Sequence, residues 1–343
     1  MSGETYSMPA EWQPHAATWL SWPHNADTWS QNLELAQAEF RQLVETIAQF
    51  EPVNLMIGNL ETNQFKFDSP NVRLVPIPTN DAWARDYAPT FVKSSSGKLI
   101  SIDWFYNAWG GKYPPFDLDQ KVAERVADHL DIENIKVDLC IEGGALEING
   151  KGTLITTRSC ALAKNRNPDA TQQSVETIFR KYLGAQSFVW LPGDAIQGDD
   201  TDGHIDQLAR FTDDHTILHA WTVDENDSRR PAIAQNIDAL KAAMATIDSG
   251  CRFVPLPIPD PIDYCDLVVP ASYCNFLVIN GAVIVPQFDQ ADSDANAVAI
   301  LKEQFPNRKI TPLPSKNLAV GLGSLHCLSQ QQPAVGSCRS DKR

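Results

Sequence analysis

Residues 276–285 read FLVINGAVIV, two apolar runs joined by Asn280-Gly281. Asn-Gly between runs rich in β-branched residues is a strong short-range signal for a β-hairpin, because both positions of such a turn need a positive φ. The stretch therefore predicts two antiparallel strands. Tyr273 and Asn275 stand just before it, so polar groups lead into the hairpin.

The same pattern occurs three more times, earlier in the chain. Hairpins are predicted within residues 91–102, 146–155 and 208–218. A reactive residue precedes each of them, namely Asp86, Glu142 and His204. A repeat that places a reactive residue at the same structural point gathers those residues in space when the units form a circular array. The pattern therefore predicts one shared site.

Helices and further strands continue the repeat. Apolar residues recur with a helical period within residues 36–50, 122–130, 175–183, 233–247 and 298–305. Pro231 suits the first turn of the fourth helix, and Gly184 suits the C-terminal cap of the third. Strand-like runs follow the helices at residues 53–57, 135–139, 188–191, 253–256 and 310–313.

This order predicts an α/β propeller of five pseudo-symmetric ββαβ units. Residues 18–22 begin the first unit, whose hairpin must be completed from elsewhere in the chain. Residues 324–328 are a leftover strand that can close the ring against them. An ordinary mixed α/β sheet, with elements that happen to alternate, is the alternative.

Composition predicts one domain and an acidic surface. The 343 residues include 43% hydrophobic residues without a linker-like change of composition, so we predict a single domain over residues 1–333. Residues 334–343 are expected to be a short, disordered polar tail. The net charge of −15 argues against nucleic acid as a partner, because phosphate binding needs clustered Lys and Arg. It is compatible with a small cationic substrate, although solubility alone would also explain it.

The sequence favours the cytoplasm and no membrane partner. The longest apolar stretch is interrupted by Asn280-Gly281 and is too short to cross a bilayer. Residues 1–4 do not begin a secretory signal. The seven cysteines show neither disulfide-type nor metal-type spacing, and their odd number leaves at least one free thiol. A reducing compartment is therefore expected.

Cys327 is the candidate nucleophile. It ends the stretch GLGSLHC at residues 321–327, where glycines allow the backbone to approach a ligand closely. Adjacent residues of a strand face opposite sides, so we do not expect His326 to activate Cys327 directly. A buried, inert cysteine is the alternative and the commoner fate of a single Cys.

Four polar residues and one tryptophan are further candidates. His204 and Asp206 are two residues apart, so in an extended segment they would project to the same face. Asp86 closely follows Trp83, and Glu142 precedes a glycine pair. Solvated strand positions, turn caps and core packing are the alternatives for these residues.

Metal and phosphate sites are not predicted. Three aspartates within residues 199–202 suggest calcium, yet an EF-hand loop would place Gly198 and Ala209 at its first and last ligand positions. Gly111-Lys112 lacks both the leading glycine and the following Ser or Thr of a phosphate loop.

Taken in order, the motifs resemble the agmatine and Porphyromonas-type peptidyl-arginine deiminase family, which has the pentein fold of guanidino-group-modifying enzymes. The resemblance runs nearly end to end. It rests on MPAEW at 8–12 with His15 and Trp19, NDAWARD at 80–86, WGGKYPP at 109–115, EGG at 142–144, GHID at 203–206, ASYCNF at 271–276 and HCLSQQQP at 326–333.

The resemblance implies a role for each candidate. Asp86 and Asp206 would bind a guanidinium group, and Trp83 would line the pocket beside it. His204 would protonate the leaving nitrogen and then activate water, while Glu142 would orient and stabilise His204.

The implied reaction is hydrolysis of agmatine to N-carbamoylputrescine and ammonia, a step toward putrescine. It would pass through an amidino-thioether on Cys327 and need neither a metal nor an organic cofactor. The resemblance also implies a pentein-type α/β propeller, a single catalytic domain and a homodimer. Deimination of peptidyl-arginine or another guanidino compound, amidino transfer to an amine, and a non-catalytic guanidinium-binding module remain alternatives.

Overall fold

The computed structural model describes residues 3–265 and 267–336; residues 337–343, most of the predicted C-terminal tail, lie outside the described residues. Its strands are β1 (Tyr6–Ser7), β2 (His15–Ser21), β3 (Val53–Met56), β4 (Val72–Val75), β5 (Thr90–Ser94), β6 (Leu99–Phe105), β7 (Glu133–Cys140), β8 (Glu147–Ile148), β9 (Thr153–Thr157), β10 (Ser187–Leu191), β11 (Ala209–Asp213), β12 (Thr216–Trp221), β13 (Arg252–Pro257), β14 (Ile262–Tyr264), β15 (Leu267–Val269), β16 (Leu277–Ile279), β17 (Ala282–Gln287), β18 (Lys309–Pro314) and β19 (Ser329–Pro333).

The helices connect these strands. They are α1 (Ala26–Trp29), α2 (Leu33–Ile47), α3 (Ala84–Tyr87), α4 (Ala108–Gly111), α5 (Val122–Leu130), α6 (Arg158–Ala161), α7 (Gln172–Leu183), α8 (Arg230–Ile247), α9 (Ala291–Gln304) and α10 (Lys316–Ala319). Short 3₁₀ turns cover Ser30–Asn32, Thr62–Gln64, Asp119–Lys121, Gly143–Ala145, Ile205–Gln207 and Tyr273–Asn275. Among the described residues, no helix is both long and apolar enough to cross a membrane.

Most strands belong to five units of the predicted ββαβ order. Unit I holds β19, β2, α2 and β3 with β4 at its edge, and unit II holds β5, β6, α5 and β7 with β1 at its edge. Units III, IV and V hold β8–β9–α7–β10, β11–β12–α8–β13 and β16–β17–α9–β18. In every unit the first two strands pair antiparallel, and the third strand pairs parallel with the second. The helix of the unit connects the second strand to the third. The predicted α/β class is confirmed.

Helix α7 shows how local sequence sets the bounds of these elements. The Thr171 hydroxyl accepts a hydrogen bond from the backbone N–H of Ser174, and the Ser174 hydroxyl accepts one from the backbone N–H of Thr171. This capping box starts the helix, and Gly184 ends it with a φ of +69°. Val175 and Phe179 are buried on the face that packs into the core.

The Asn-Gly hairpin of unit V forms where it was predicted. Ile279 pairs with Ala282 across a two-residue turn, and Leu277 pairs with Ile284. Gly281 has a φ of +72°, whereas Asn280 does not take a positive φ. The expectation that both turn positions need a positive φ is therefore wrong here, since this turn demands it of the glycine alone.

The predicted closing strand is misplaced by several residues. Residues 325–328 form a turn, and the strand that completes unit I is β19, which pairs antiparallel with β2. Local hydrogen bonds explain the difference, because the Leu328 N–H donates to the Ser324 carbonyl oxygen and the Ser329 N–H donates to that of His326. The segment therefore satisfies its backbone within itself before the strand begins.

The units contact one another in a closed circuit. Each unit contacts the next, and α2 of unit I packs against β18 of unit V. The turns that lead into the hairpins also pack in order, α3 against Gly143–Ala145, these against Ile205–Gln207, and these against Tyr273–Asn275. The polar residues on these turns are thereby brought to one place.

Candidate active site

Five predicted residues lie together where the hairpin-leading turns meet. Asp86 is in α3, Glu142 and His204 directly precede 3₁₀ turns, Asp206 is inside such a turn, and Cys327 lies in the turn before β19. All five are buried, each exposing 5% of its surface or less. The structure thus brings together residues from units II, III and IV and from the closing segment.

The Cys327 thiol lies among polar groups. Its Sγ is 3.1 Å from Asn275 Nδ2 and 3.6 Å from Asp206 Oδ2. Burial, followed by the negative charges of Asp206 and Asp86, raises the pKa of the Cys327 thiol well above its ordinary value. These surroundings favour the protonated thiol over the thiolate.

His204 lies between two carboxylates. Its Nδ1 is 3.7 Å from Asp86 Oδ1, and its Nε2 is 3.5 Å from Glu142 Oε2. Within the described chain, neither ring nitrogen makes a hydrogen bond. Burial alone would lower the pKa of His204, but Asp86, Cys160 and Glu142 raise it well above its ordinary value. The imidazole is therefore held as a cation that can give up a proton.

Asp86 and Asp206 differ in how their oxygens are used. Asp86 accepts hydrogen bonds from Trp109 Nε1 at 2.9 Å and from the Gly144 N–H at 3.0 Å. Burial raises the pKa of Asp86 to about 6, with His204 opposing this shift. Asp206 Oδ2 lies 2.8 Å from His326 Nδ1, whereas Asp206 Oδ1 is buried and has no partner among the described residues.

His204 and Asp206 do not act as a side-by-side pair. The prediction assumed an extended segment, but Ile205–Gln207 is a 3₁₀ turn. His204 therefore turns toward Asp86 and Glu142, and Asp206 turns toward Cys327. Periodicity could not reveal this turn, because the segment carries no marker that distinguishes it from a strand start.

Gly144 allows the site to be this compact. A Cβ at this position would lie 2.5 Å from His204 Nδ1, 2.8 Å from Asp86 Oδ1 and 3.2 Å from Asp206 Oδ2. Real Cβ contacts are essentially never shorter than 3.0 Å. The glycine next to Glu142 is therefore required by close approach of three reactive side chains.

Charged pairs that sequence reasoning did not single out support these groups. Arg166 Nε lies 2.8 Å from Glu142 Oε1, and Arg166 Nη1 lies 2.5 Å from Asp202 Oδ2. Although burial opposes it, His204 and Arg166 lower the pKa of Glu142 to about 2, so this carboxylate stays ionised. Cys160 Sγ lies 3.4 Å from Glu142 Oε2.

A second buried group lies behind Asp206. His326 Nε2 is 3.2 Å from Glu11 Oε2, and Arg210 contacts both Glu11 and Glu147. His326 therefore links Asp206 to a buried ion-pair network, and it is also the residue that precedes Cys327 in sequence. Glu11 lies in the MPAEW motif that carried the resemblance, but its position in sequence gave no sign of this contact.

One group of residues could hold a metal ion. The ligand atoms of Glu142, Cys160 and His204 lie within 4.8 Å of one another. Arg166 already neutralises Glu142, and the raised pKa of His204 favours a protonated ring that cannot ligate. The arrangement thus suits an acid–base pair better than a metal ion.

A cavity of about 680 Å³ opens onto these residues. Cys327, Asp86 and Trp83 line it, and Trp83 stacks on Trp29 with ring centroids 5.4 Å apart. Further carboxylates line the cavity, those of Asp27, Asp81, Asp119 and Asp200. Lys112 is the only Lys or Arg among the described lining residues, and its Nζ already lies 2.9 Å from Asp202 Oδ1.

Comparisons with known proteins agree on one family. A family model described as Porphyromonas-type peptidyl-arginine deiminase matches residues 7–333. The agmatine deiminase of Ectopseudomonas mendocina is 37% identical, with 96% of each chain covered, and that of Pseudomonas aeruginosa strain LESB58 is 38% identical with the same coverage. Among solved structures, a C. jejuni agmatine deiminase with substrate bound superposes with a TM-score of 0.90 and 31% identity over 98% of each chain. The agmatine deiminase of Enterococcus faecalis gives a TM-score of 0.89 with 28% identity, covering 97% of this chain and 98% of that one.

Proposed function

Because the chain belongs to the Porphyromonas-type peptidyl-arginine deiminase family, we propose that it hydrolyses the guanidinium group of agmatine to N-carbamoylputrescine and ammonia. The observation that carries this proposal is the buried, unpartnered Oδ1 of Asp206, whose other oxygen, Oδ2, lies 3.6 Å from Cys327 Sγ. A buried carboxylate oxygen without a donor is costly unless a ligand supplies one. A guanidinium offers donors in a planar fork that suits carboxylates.

The substrate guanidinium would lie between Asp86 and Asp206. Its positive charge compensates the two carboxylates that raise the pKa of the Cys327 thiol, so binding lowers that pKa. The thiol then loses its proton to solvent, and the thiolate becomes the nucleophile. Substrate binding and nucleophile activation are thereby coupled.

The chemistry proceeds in two halves. The Cys327 thiolate forms an S–C bond to the guanidinium carbon, and His204 gives its proton to a nitrogen, which leaves as ammonia when the C–N bond breaks. Neutral His204 next takes a proton from water, whose oxygen attacks the amidino carbon. The C–S bond then breaks with the sulfur of Cys327 leaving as a thiolate, and the remaining proton of the attacking oxygen passes to solvent as the C=O bond of the ureido product forms. Glu142 stabilises the protonated form of His204 in both halves, the role a third group plays in triads.

Agmatine fits this cavity better than arginine does. Agmatine is cationic at both ends, and the carboxylates of five aspartates are among the groups that line the cavity. The carboxylate of free arginine would enter the same negative field, and Lys112 is already paired with Asp202. Mispaired charge of this kind costs several kcal/mol in comparable interfaces.

The test compares kcat/KM for agmatine, arginine and a peptide ending in arginine at one pH, with ammonia release as the readout. Agmatine should lead by about 100-fold or more. A preference for either arginine substrate would favour the alternative deiminase, and no ammonia release from any guanidino compound would favour the binding module.

Covalent catalysis has its own test. Acid-quenched wild-type reactions should show an amidino adduct on the peptide that contains Cys327, detected by mass spectrometry. Cys327→Ser should bind agmatine without turnover, because an alkoxide is much harder to form than a thiolate. Substantial turnover by this variant would contradict the assignment.

Cellular context extends the proposal. We place the reaction in the cytoplasm, in a route to putrescine, supported by the free thiols of all six cysteines that the structure describes. A homodimer is proposed as the working assembly, and light scattering with size-exclusion chromatography would test it.

A further inference from the structure

Asn275 is a buried polar residue that the proposed chemistry does not use. It ends the turn Tyr273–Asn275, which leads into the hairpin of unit V. In units II, III and IV the corresponding turns carry or adjoin Asp86, Glu142 and Asp206. Its side chain is fully buried, with 0% exposure.

The orientation of the Asn275 amide is fixed by backbone groups. Its Oδ1 accepts hydrogen bonds from the backbone N–H of His326 at 3.0 Å and of Cys327 at 3.3 Å. An oxygen must occupy that position, because an NH₂ group could not accept them. The NH₂ group therefore faces the other way, where Nδ2 lies 3.1 Å from Cys327 Sγ.

We propose that Asn275 is a catalytic residue whose side-chain N–H donates to the Cys327 sulfur and stabilises it as a thiolate. An amide nitrogen can only donate, and a thiolate accepts a hydrogen bond much more strongly than a thiol does. The contact therefore favours the reactive ionisation state. The same side chain also holds the turn that carries the nucleophile.

The surroundings of the sulfur make this donor important. Asp206 lies 3.6 Å away on one turn, and the charge of Asp86 in α3 also acts on the sulfur, so the facing charges are both negative. Gln207 Nε2 is at 4.0 Å, farther than Asn275. Among the described side chains, Asn275 is thus the nearest donor to the sulfur.

The inference rests on the proposed function only in taking Cys327 as the nucleophile, and it can be tested without any guanidino compound. The measurement is the rate of iodoacetamide alkylation of Cys327 as a function of pH, followed by mass spectrometry of its peptide. Alkylation requires the thiolate, so the rate profile reports the thiol pKa.

Two variants distinguish the role of the Asn275 side chain as a donor to the sulfur from its role in holding the turn. Asn275→Asp keeps an oxygen for the two backbone N–H groups but replaces the donor with a second oxygen. It should slow alkylation at pH 8 about tenfold or more, which corresponds to a rise of about one unit in the thiol pKa. Asn275→Ala removes donor and acceptor together and should also slow alkylation several-fold. Asn149→Asp is the matched control, because Asn149 Oδ1 also accepts from two backbone N–H groups, those of Lys151 and Thr153, outside the site.

The outcomes are distinct. Slower alkylation in folded Asn275 variants, with Asn149→Asp unchanged, supports the proposal, even if wild-type protein fails to release ammonia from agmatine. A purely structural role would lower the melting temperature and leave the alkylation profile in place, and that result would overturn it. If Asn275→Asp does not fold, Asn275→Ala decides in the same assay.

Discussion

Replacing Gly144 by alanine would disturb three reactive side chains through a single methyl group. Gly144 does not lie in the left-handed region of φ, so the backbone accepts alanine without strain. The added Cβ would lie 2.5 Å from His204 Nδ1, where ordinary contact begins at 3.4 Å. His204 must therefore move by roughly 1 Å, and a displacement of about 1 Å at reacting groups costs about 100-fold in rate.

The assay is kcat/KM for agmatine by ammonia release, with thermal unfolding measured in parallel. We expect Gly144→Ala to lower kcat/KM about 100-fold, while overpacking costs about 1–3 kcal/mol of stability. Gly250→Ala is the control, since its Cβ would meet Asp248 at an ordinary 3.4 Å. Gly143→Ala gives the contrast, because its Cβ would lie 2.1 Å from the Arg85 carbonyl oxygen and should mainly impair folding. Unchanged kcat/KM in folded Gly144→Ala would refute the reasoning about close approach.

Three further predictions concern the titrating groups of the site. Burial raises the pKa of Asp86 to about 6, and only the ionised carboxylate pairs with a guanidinium. The value of kcat/KM should therefore fall as the pH drops through about 6. A fall that begins only well below about pH 5 would contradict this. The folded-state pKa of Asp86 exceeds the unfolded one, so stability falls by roughly 1–3 kcal/mol as pH rises from the unfolded pKa of 3.8 to the folded pKa of about 6. Asp86→Asn should therefore raise the melting temperature more at pH 7 than at pH 4, with activity strongly reduced. Glu142→Gln should lower kcat and shift its pH profile, because protonated His204 loses a stabilising charge; profiles that coincide with wild type would refute the division of roles.

The order of elements could be predicted because its signals are local. Asn280-Gly281 specifies a turn, Pro231 lies in the first turn of α8, and Gly184 caps α7, so each boundary depends on a few neighbouring residues. The apolar periods likewise locate helices without knowledge of their partners. The five-unit order was accessible for the same reason.

The turn that carries Cys327 could not be predicted from its own residues. Alternating apolar residues in 324–328 resemble a strand, but the side chain of Asn275 accepts hydrogen bonds from the N–H groups of His326 and Cys327. That partner is about fifty positions away in sequence. Arg166 and Glu11 were missed for the same reason, since a charge pair shows no pattern until the chain has folded.

The pairing of β19 with β2 also determines when the enzyme becomes chemically competent. During synthesis, units II to V can form as their residues emerge, because each is built from consecutive sequence. Unit I cannot be completed until residues 329–333 pair with residues 15–21, and this contact spans almost the whole described chain. Cys327 lies in the turn directly before this last strand, so it is also made late. We therefore expect a chain that has not yet reached residue 327 to be inert, because it lacks the proposed nucleophile.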